Sequence, residues 1–155
     1  RSVQIQNNVL LPFSTTTETL SFGADTKVTD EVNFSYKATG SQIESHSAVE
    51  ASAFHVDQLQ QQATVYYNPS DELQFKLAGE HYFTSQQGNP DLKYFFADAS
   101  AKFKVKKWKT DFELSAVNFL NVKTYNALYL SANTLIANSY TLPGRIVMLK
   151  LMFNL

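Results

Sequence analysis

Apolar and polar residues alternate one by one along most of this chain. In residues 95–116, Phe95, Ala97, Ala99, Ala101, Phe103 and Val105 are apolar, while Asp98, Ser100, Lys102 and Lys104 between them are polar. After Lys107 the parity inverts: Trp108, Thr110, Phe112, Leu114 and Ala116 form the mostly apolar set, and Lys109, Asp111, Glu113 and Ser115 the polar one. A period of two sends successive side chains to opposite faces of a strand, so this segment predicts two long strands joined by a tight turn. The same period recurs upstream, where Leu20, Phe22 and Ala24 oppose Ser21, Asp25 and Lys27, and Val32, Phe34, Tyr36 and Ala38 oppose Asn33, Ser35, Lys37 and Thr39. Leu59, Ala63, Val65 and Tyr67 oppose Gln58, Gln60, Gln62 and Thr64; Leu73, Phe75, Leu77 and Phe83 oppose Gln74, Lys76 and Glu80. The last segment sets Val147, Leu149, Leu151, Phe153 and Leu155 against Lys150 and Asn154. With a weaker strand over 3–11, the pattern predicts about eight strands, and helical spacing is sustained nowhere.

The connections alternate as well. VTDE at 28–31, NPSDE at 68–72 and VKKWK at 105–109 are tight. The first two carry the Asp, Asn, Pro and Ser that preset φ or bond back to the backbone in turns. The stretches 10–18, 40–52, 84–91 and 118–140 read as long polar loops. Short and long connections in strict succession are expected when hairpins cross a slab whose two sides differ.

Two kinds of closed sheet alternate in this way, and they differ in which face meets water. A soluble lipocalin-like carrier turns its apolar face inward. A transmembrane barrel turns it outward, to lipid. Strands of about 12–15 residues exceed the common 5–6 and suffice for a tilted bilayer crossing. The polar face is rich in Gln, Ser, Thr and Asn, as a wet lumen requires, and the apolar faces of the better strands hold no Lys or Arg. Aromatic residues gather near the expected strand ends, where amphipathic rings suit the headgroup layer. The pattern therefore predicts an all-β, antiparallel, up-and-down transmembrane β-barrel in the bacterial outer membrane. Phe103, Val105, Phe112, Leu114, Val147, Leu149, Leu151 and Phe153 are expected to face lipid, and Tyr66, Tyr67, Tyr94 and Trp108 to lie at the interface.

Composition narrows the chemistry. A net charge of −1 argues against a nucleic-acid partner, which demands a basic surface. There is no cysteine, hence no disulfide, thiol nucleophile or cysteine metal site. Asp111 and Glu113 share a strand face, but spacing along one strand does not make the cleft that paired catalytic carboxylates need. His46, His55 and His81 read as solvated loop or strand-end residues rather than a metal site. No serine sits in a G-x-S-x-G elbow. The lysines at 102, 104, 106, 107 and 109 read as a solvated rim beside a tight turn. Neither enzymatic activity nor a cofactor is expected.

The C-terminal third carries a more specific signal. DFELSAVNFLNVKTY at 111–125 and SYTLPGRIVMLKLMFNL at 139–155 contain an Asn-Phe-Leu-Asn box, Asn118, Phe119, Leu120 and Asn121, with Tyr125 downstream. Pro143, Gly144 and Arg145 then open a closing strand. This arrangement resembles the last strands of TonB-dependent outer-membrane receptors, and 66–83 and 93–114 are similar to the strands before them. The box departs from the family's pattern by exchanging Phe and Leu, and a glycine separates Pro143 from Arg145. Leu155 stands where such barrels commonly end in an aromatic. The family's barrel has twenty-two strands around a plugged lumen. The resemblance thus implies that 1–155 is the C-terminal segment of a larger barrel, with neither plug domain nor TonB box in these residues. It implies outer-membrane lipid, the rest of the barrel, the plug, a TonB-type energising complex and possible surface-lipoprotein lids as partners, and a structural role for Arg145 against lumen carboxylates. A complete small eight-stranded barrel, with an anchoring or adhesive role, is the alternative architecture.

Overall fold

In the computed structural model, residues 2–6, 9–47, 53–131 and 134–153 are described. Ten strands run β1 Ser2–Gln6, β2 Val9–Lys27, β3 Val32–Ser47, β4 Ala53–Ser70, β5 Leu73–Gln86, β6 Leu92–Val105, β7 Thr110–Val117, β8 Thr124–Ser131, β9 Thr134–Thr141 and β10 Ile146–Phe153. Eight form one antiparallel sheet in the order β1-β2-β3-β4-β5-β6-β7-β10, a meander until β7, while β8 and β9 pair only with each other. Among the described residues no helix is long and apolar enough to cross a membrane, which leaves crossing by strands untouched.

Several expected loops are strands. β2 runs straight through 10–18, and β3 continues to Ser47, so of 40–52 only 48–52 stays outside the described residues. From 14 to 19 every residue is polar, and from 40 to 47 Ile43 is the one large apolar residue, which reads as loop in a sequence. Each described residue in them nevertheless has a ladder partner, as in Thr15↔Ser45, Thr17↔Ile43 and Thr19↔Ser41, and β-branched threonine suits the pleat. The single strand expected over 3–11 is instead the β1–β2 hairpin. The expected loop from 118 to 140 contains β8–β9, whose Tyr125, Ala127 and Tyr129 alternate with Asn126 and Leu128, a contrast too weak to announce a strand.

The register sorts side chains cleanly. Directly paired residues share a face, and one row reads Thr26, Phe34, Val65, Leu77, Ala99, Ala116 and Val147 across seven strands. The row toward the tight turns contains Tyr67, Phe75, Ala101, Leu114 and Leu149, and the next Leu73, Phe103, Phe112 and Leu151. In the other direction the apolar rows end at Leu20, Leu59 and Phe83; beyond them Glu18, Gln42, Asp57 and Ser85 occupy the same face. From Leu73 to Phe83 the band covers ten steps, about 34 Å at about 3.4 Å per residue. A strand tilt of about 40° would give it a height of about 25 Å. Its one internal polar row has Gln61 beside His81, whose Nδ1 lies 3.3 Å from Gln61 Oε1, one step from the band's edge.

The opposite face carries Lys37, Gln62, Glu80, Asp98, Ser100 and Lys102. Tyr66 belongs here, with Lys76 Nζ 5.7 Å from its ring centroid, while its neighbour Tyr67 stacks on Phe75 across the sheet. Adjacent strand residues must diverge, so the interfacial girdle expected of both tyrosines can include only Tyr67 on the apolar side. Tyr94 also stands on the polar face, opposite Tyr82 and away from the apolar band.

Turns close one end of the sheet. Lys106–Trp108 is a single 3-10 turn ended by Lys109 at φ 48°, and Trp108 is exposed. Thr110 Oγ1 donates to the Trp108 carbonyl at 2.8 Å. Lys106 Nζ reaches Glu72 Oε1, in the β4–β5 turn, at 2.7 Å. The Lys106 ammonium holds the Glu72 carboxyl below its usual range. Lys106→Met should return the Glu72 titration, followed by the chemical shift of its carboxyl carbon, to the ordinary carboxylate range. A titration that does not move would show that the two turns are not joined through this pair.

Candidate functional site

The chemistry concentrates where β7 leaves the sheet and β10 re-enters it. Asn118 and Asn121 both adopt left-handed backbone conformations, φ 50° and 62°, which asparagine tolerates better than most residues. The turn they make is tied on every side. Asn118 N–H donates to Asp98 Oδ1 at 2.8 Å, and Phe119 N–H donates to the Ala97 carbonyl at 2.9 Å. Asn118 Nδ2 donates to the carbonyls of Val122, 2.7 Å, and Pro143, 3.1 Å, while its Oδ1 accepts from Val122 N–H at 3.0 Å. Asn121 Oδ1 accepts from Arg145 N–H at 3.1 Å, and Arg145 Nε donates to the Phe119 carbonyl at 2.7 Å.

Asn118, Phe119, Asn121, Pro143 and Arg145 thus meet in one clasp joining the ends of the 118–145 excursion. Leu120, at the tip of the turn, is exposed. Arg145 does not take the carboxylate partner expected for it: among the described residues its guanidinium bonds to a backbone carbonyl, because the clasp presents the Phe119 C=O first. The extra glycine has a steric reason, since a Cβ on Gly144 would lie 2.6 Å from Asn121 Oδ1.

The clasp lays β8–β9 against the polar face of the sheet. Tyr125 is its wedge, with ring centroids 5.0 Å from Tyr94, 5.8 Å from Tyr82 and 6.1 Å from Phe96, all three edge-on, and 6.3 Å from Tyr140 in a stack. Edge-to-face rings at these separations are favourable beyond their burial. Tyr94 Oη accepts from Asn126 N–H at 3.0 Å, and Gln58 Nε2 donates to the Leu128 carbonyl at 3.2 Å. The sequence offered Tyr94 only as an aromatic near a strand end; its partnership with Tyr125 needed the fold of the hairpin.

Elsewhere on this face Lys102 pairs with Asp111 at 3.0 Å. His55 and His46 lie near Glu44, at 3.4 and 3.7 Å, and His55 Nε2 is 2.9 Å from Asp57 Oδ2, but on the opposite side of the sheet, beyond the apolar band. Among the described residues no three His, Cys, Asp or Glu side chains are grouped to hold a metal ion.

No family model matches the chain, and neither does any curated protein or solved structure.

Proposed function

We propose that the chain forms part of the wall of an outer-membrane β-barrel of the TonB-dependent transporter kind, with its polar face lining the passage and its apolar band in lipid. One observation carries this reading: the covering hairpin lies on the polar face, while among the described residues no element covers the apolar face. Among the described residues only Val56, Ala97 and Ala127 are buried apolar side chains, whereas twenty large hydrophobic ones are exposed. A water-soluble fold gains its stability by covering apolar surface, at roughly 25 cal/mol per Å², and would place a spare hairpin there. A band of about 25 Å height, free of charge in its central rows, suits a bilayer instead.

The sheet edges favour a larger barrel over a complete small one. Among the described residues, β10 and the 14–27 stretch of β2 each pair on one side only. In hydrocarbon every unpaired backbone group costs several kcal/mol, so further strands would be needed to complete both ladders. The family resemblance supplies the remainder of the mechanism as expectation: a plug held inside the barrel, displaced by an energising complex at the inner membrane, opens the passage for a nutrient caught by the outward loops.

Cell fractionation tests the reading. The protein should sediment with outer membranes, resist extraction by salt and come into solution only with detergent, with faster gel migration unheated than boiled. A monomer that stays soluble in buffer would overturn both membrane architectures and restore the carrier.

A further inference from the structure

We propose that the cavity between β8–β9 and the polar face of the sheet binds a neutral, polyhydroxylated ligand, a saccharide ring or short oligosaccharide. The inference deepens the transport reading by naming the class of substrate. The cavity measures about 310 Å³ and lies between Thr39, Ser41, Gln58 and Gln60 on the sheet and Tyr125 and Tyr129 on the hairpin. That is the lower end of the range for small-molecule sites.

Its chemistry selects the ligand by elimination. No carboxylate, ammonium or guanidinium lines it, so an ionic ligand would leave water without a counter-charge. A purely apolar ligand would strand the amide oxygens and hydroxyls of the floor. Gln58 and Gln60 each commit an N–H inward, to the Leu128 carbonyl and to Tyr82 Oη at 3.1 Å; among the described residues neither Oε1 has a partner. Two acceptors and the Ser41 and Thr84 hydroxyls therefore face a space roofed by tyrosine rings. A sugar matches both surfaces, with C–H groups on its ring faces and hydroxyls at its rim.

The platform is also pre-set. Tyr125 is held by four surrounding rings, so little freedom is lost when a ligand stacks beside it. Ala127, between Tyr125 and Tyr129 on the same face of β8, leaves a gap where a larger side chain would fill the space.

The test uses the native protein in detergent, with maltose, cellobiose and sucrose as probes and citrate and trilysine as ionic controls, read by saturation-transfer NMR and calorimetry. At least one disaccharide should bind and both ionic probes should not. Tyr129→Ala, which removes a half-exposed ring, should weaken binding about tenfold, and Ala127→Phe should abolish it. Circular dichroism confirms that each variant retains its strands. If no disaccharide binds, if citrate or trilysine binds more tightly, or if a folded Tyr129→Ala binds undiminished, the inference fails. A detergent-requiring protein that ignores all three sugars overturns this inference alone; a soluble protein that binds one overturns the membrane reading and leaves the site.

Discussion

Replacing Asn118 with alanine should destabilise the protein by about 3–5 kcal/mol and release β8–β9 from the sheet. Three side-chain hydrogen bonds disappear, to Val122 N–H and to the Val122 and Pro143 carbonyls, each worth about 1 kcal/mol net. Alanine at φ 50° adds about 1–2 kcal/mol, because its Cβ crowds the following carbonyl in the left-handed region. The site is nearly buried, so water cannot fully replace the lost partners. Urea unfolding in phospholipid vesicles gives the magnitude, and limited proteolysis gives the location: new cleavage should fall within 119–145 and leave β2–β6 intact. Asn118→Gly separates the two causes. Glycine accepts the backbone angle and loses only the side-chain bonds, so it should cost about 1–2 kcal/mol less than alanine. A loss below about 1 kcal/mol for Asn118→Ala, with no new cleavage, would mean that the hairpin is held by its tyrosines and not by the clasp.

What the sequence disclosed was the part of the fold governed by a two-residue period. The parity of β5, β6, β7 and β10, the inversion after Lys107 and the tight turns at 28–31, 68–72 and 105–109 all follow from local contrast between neighbours. The strand count does not follow so directly. The contrast predicts about eight, whereas the described residues hold ten, because 3–11 is divided between β1 and β2 and because β8 and β9 lie in a stretch that reads as loop. Where the contrast vanishes, local reading fails. The 14–18 stretch is polar on both sides and is paired only because 42–46 lies beside it, a fact about residues some thirty positions away. β8–β9 fails for a related reason: Tyr125 and Tyr129 on one side and Leu128 on the other leave no distinct faces. The clasp was partly legible, since the family resemblance singled out its members. Their mutual bonds were not, because Asn118 must reach Pro143 across 25 positions and Arg145 must find a backbone carbonyl that no pattern announces. Tyr66 and Tyr94 show the limit of reading aromatic position without parity: their distance from the strand end was visible, but the register sets both on the polar face and not in the apolar band.

The face assignment itself yields the largest contrast between variants. Leu77 sits in the middle of the apolar band, half exposed, between Val65 and Ala99. Thr64 lies at nearly the same height on the polar face, between Ser35 and Ala78. In a bilayer Leu77→Arg should cost about 2–4 kcal/mol, because the guanidinium has hydrocarbon around it. Thr64→Arg, facing a wet passage, should stay within about 0.5 kcal/mol. Phe153→Arg completes the set: it is also on the apolar face but beyond the last full row at the turn end, and near an interface the charge costs about 0–1 kcal/mol. Urea unfolding of all three in phospholipid vesicles therefore measures a depth profile. If the sheet were the surface of a soluble domain, Leu77 and Phe153 would be ordinary exposed positions and both arginines would be nearly silent. If the apolar face were instead sealed in a dry protein interior, the two would be comparably severe, since a buried unpaired charge is costly wherever it is placed. Only a hydrocarbon slab makes the cost large at mid-height, small at the rim and absent on the far face. A flat profile across Leu77 and Phe153, whether both mild or both severe, would remove the membrane from the account.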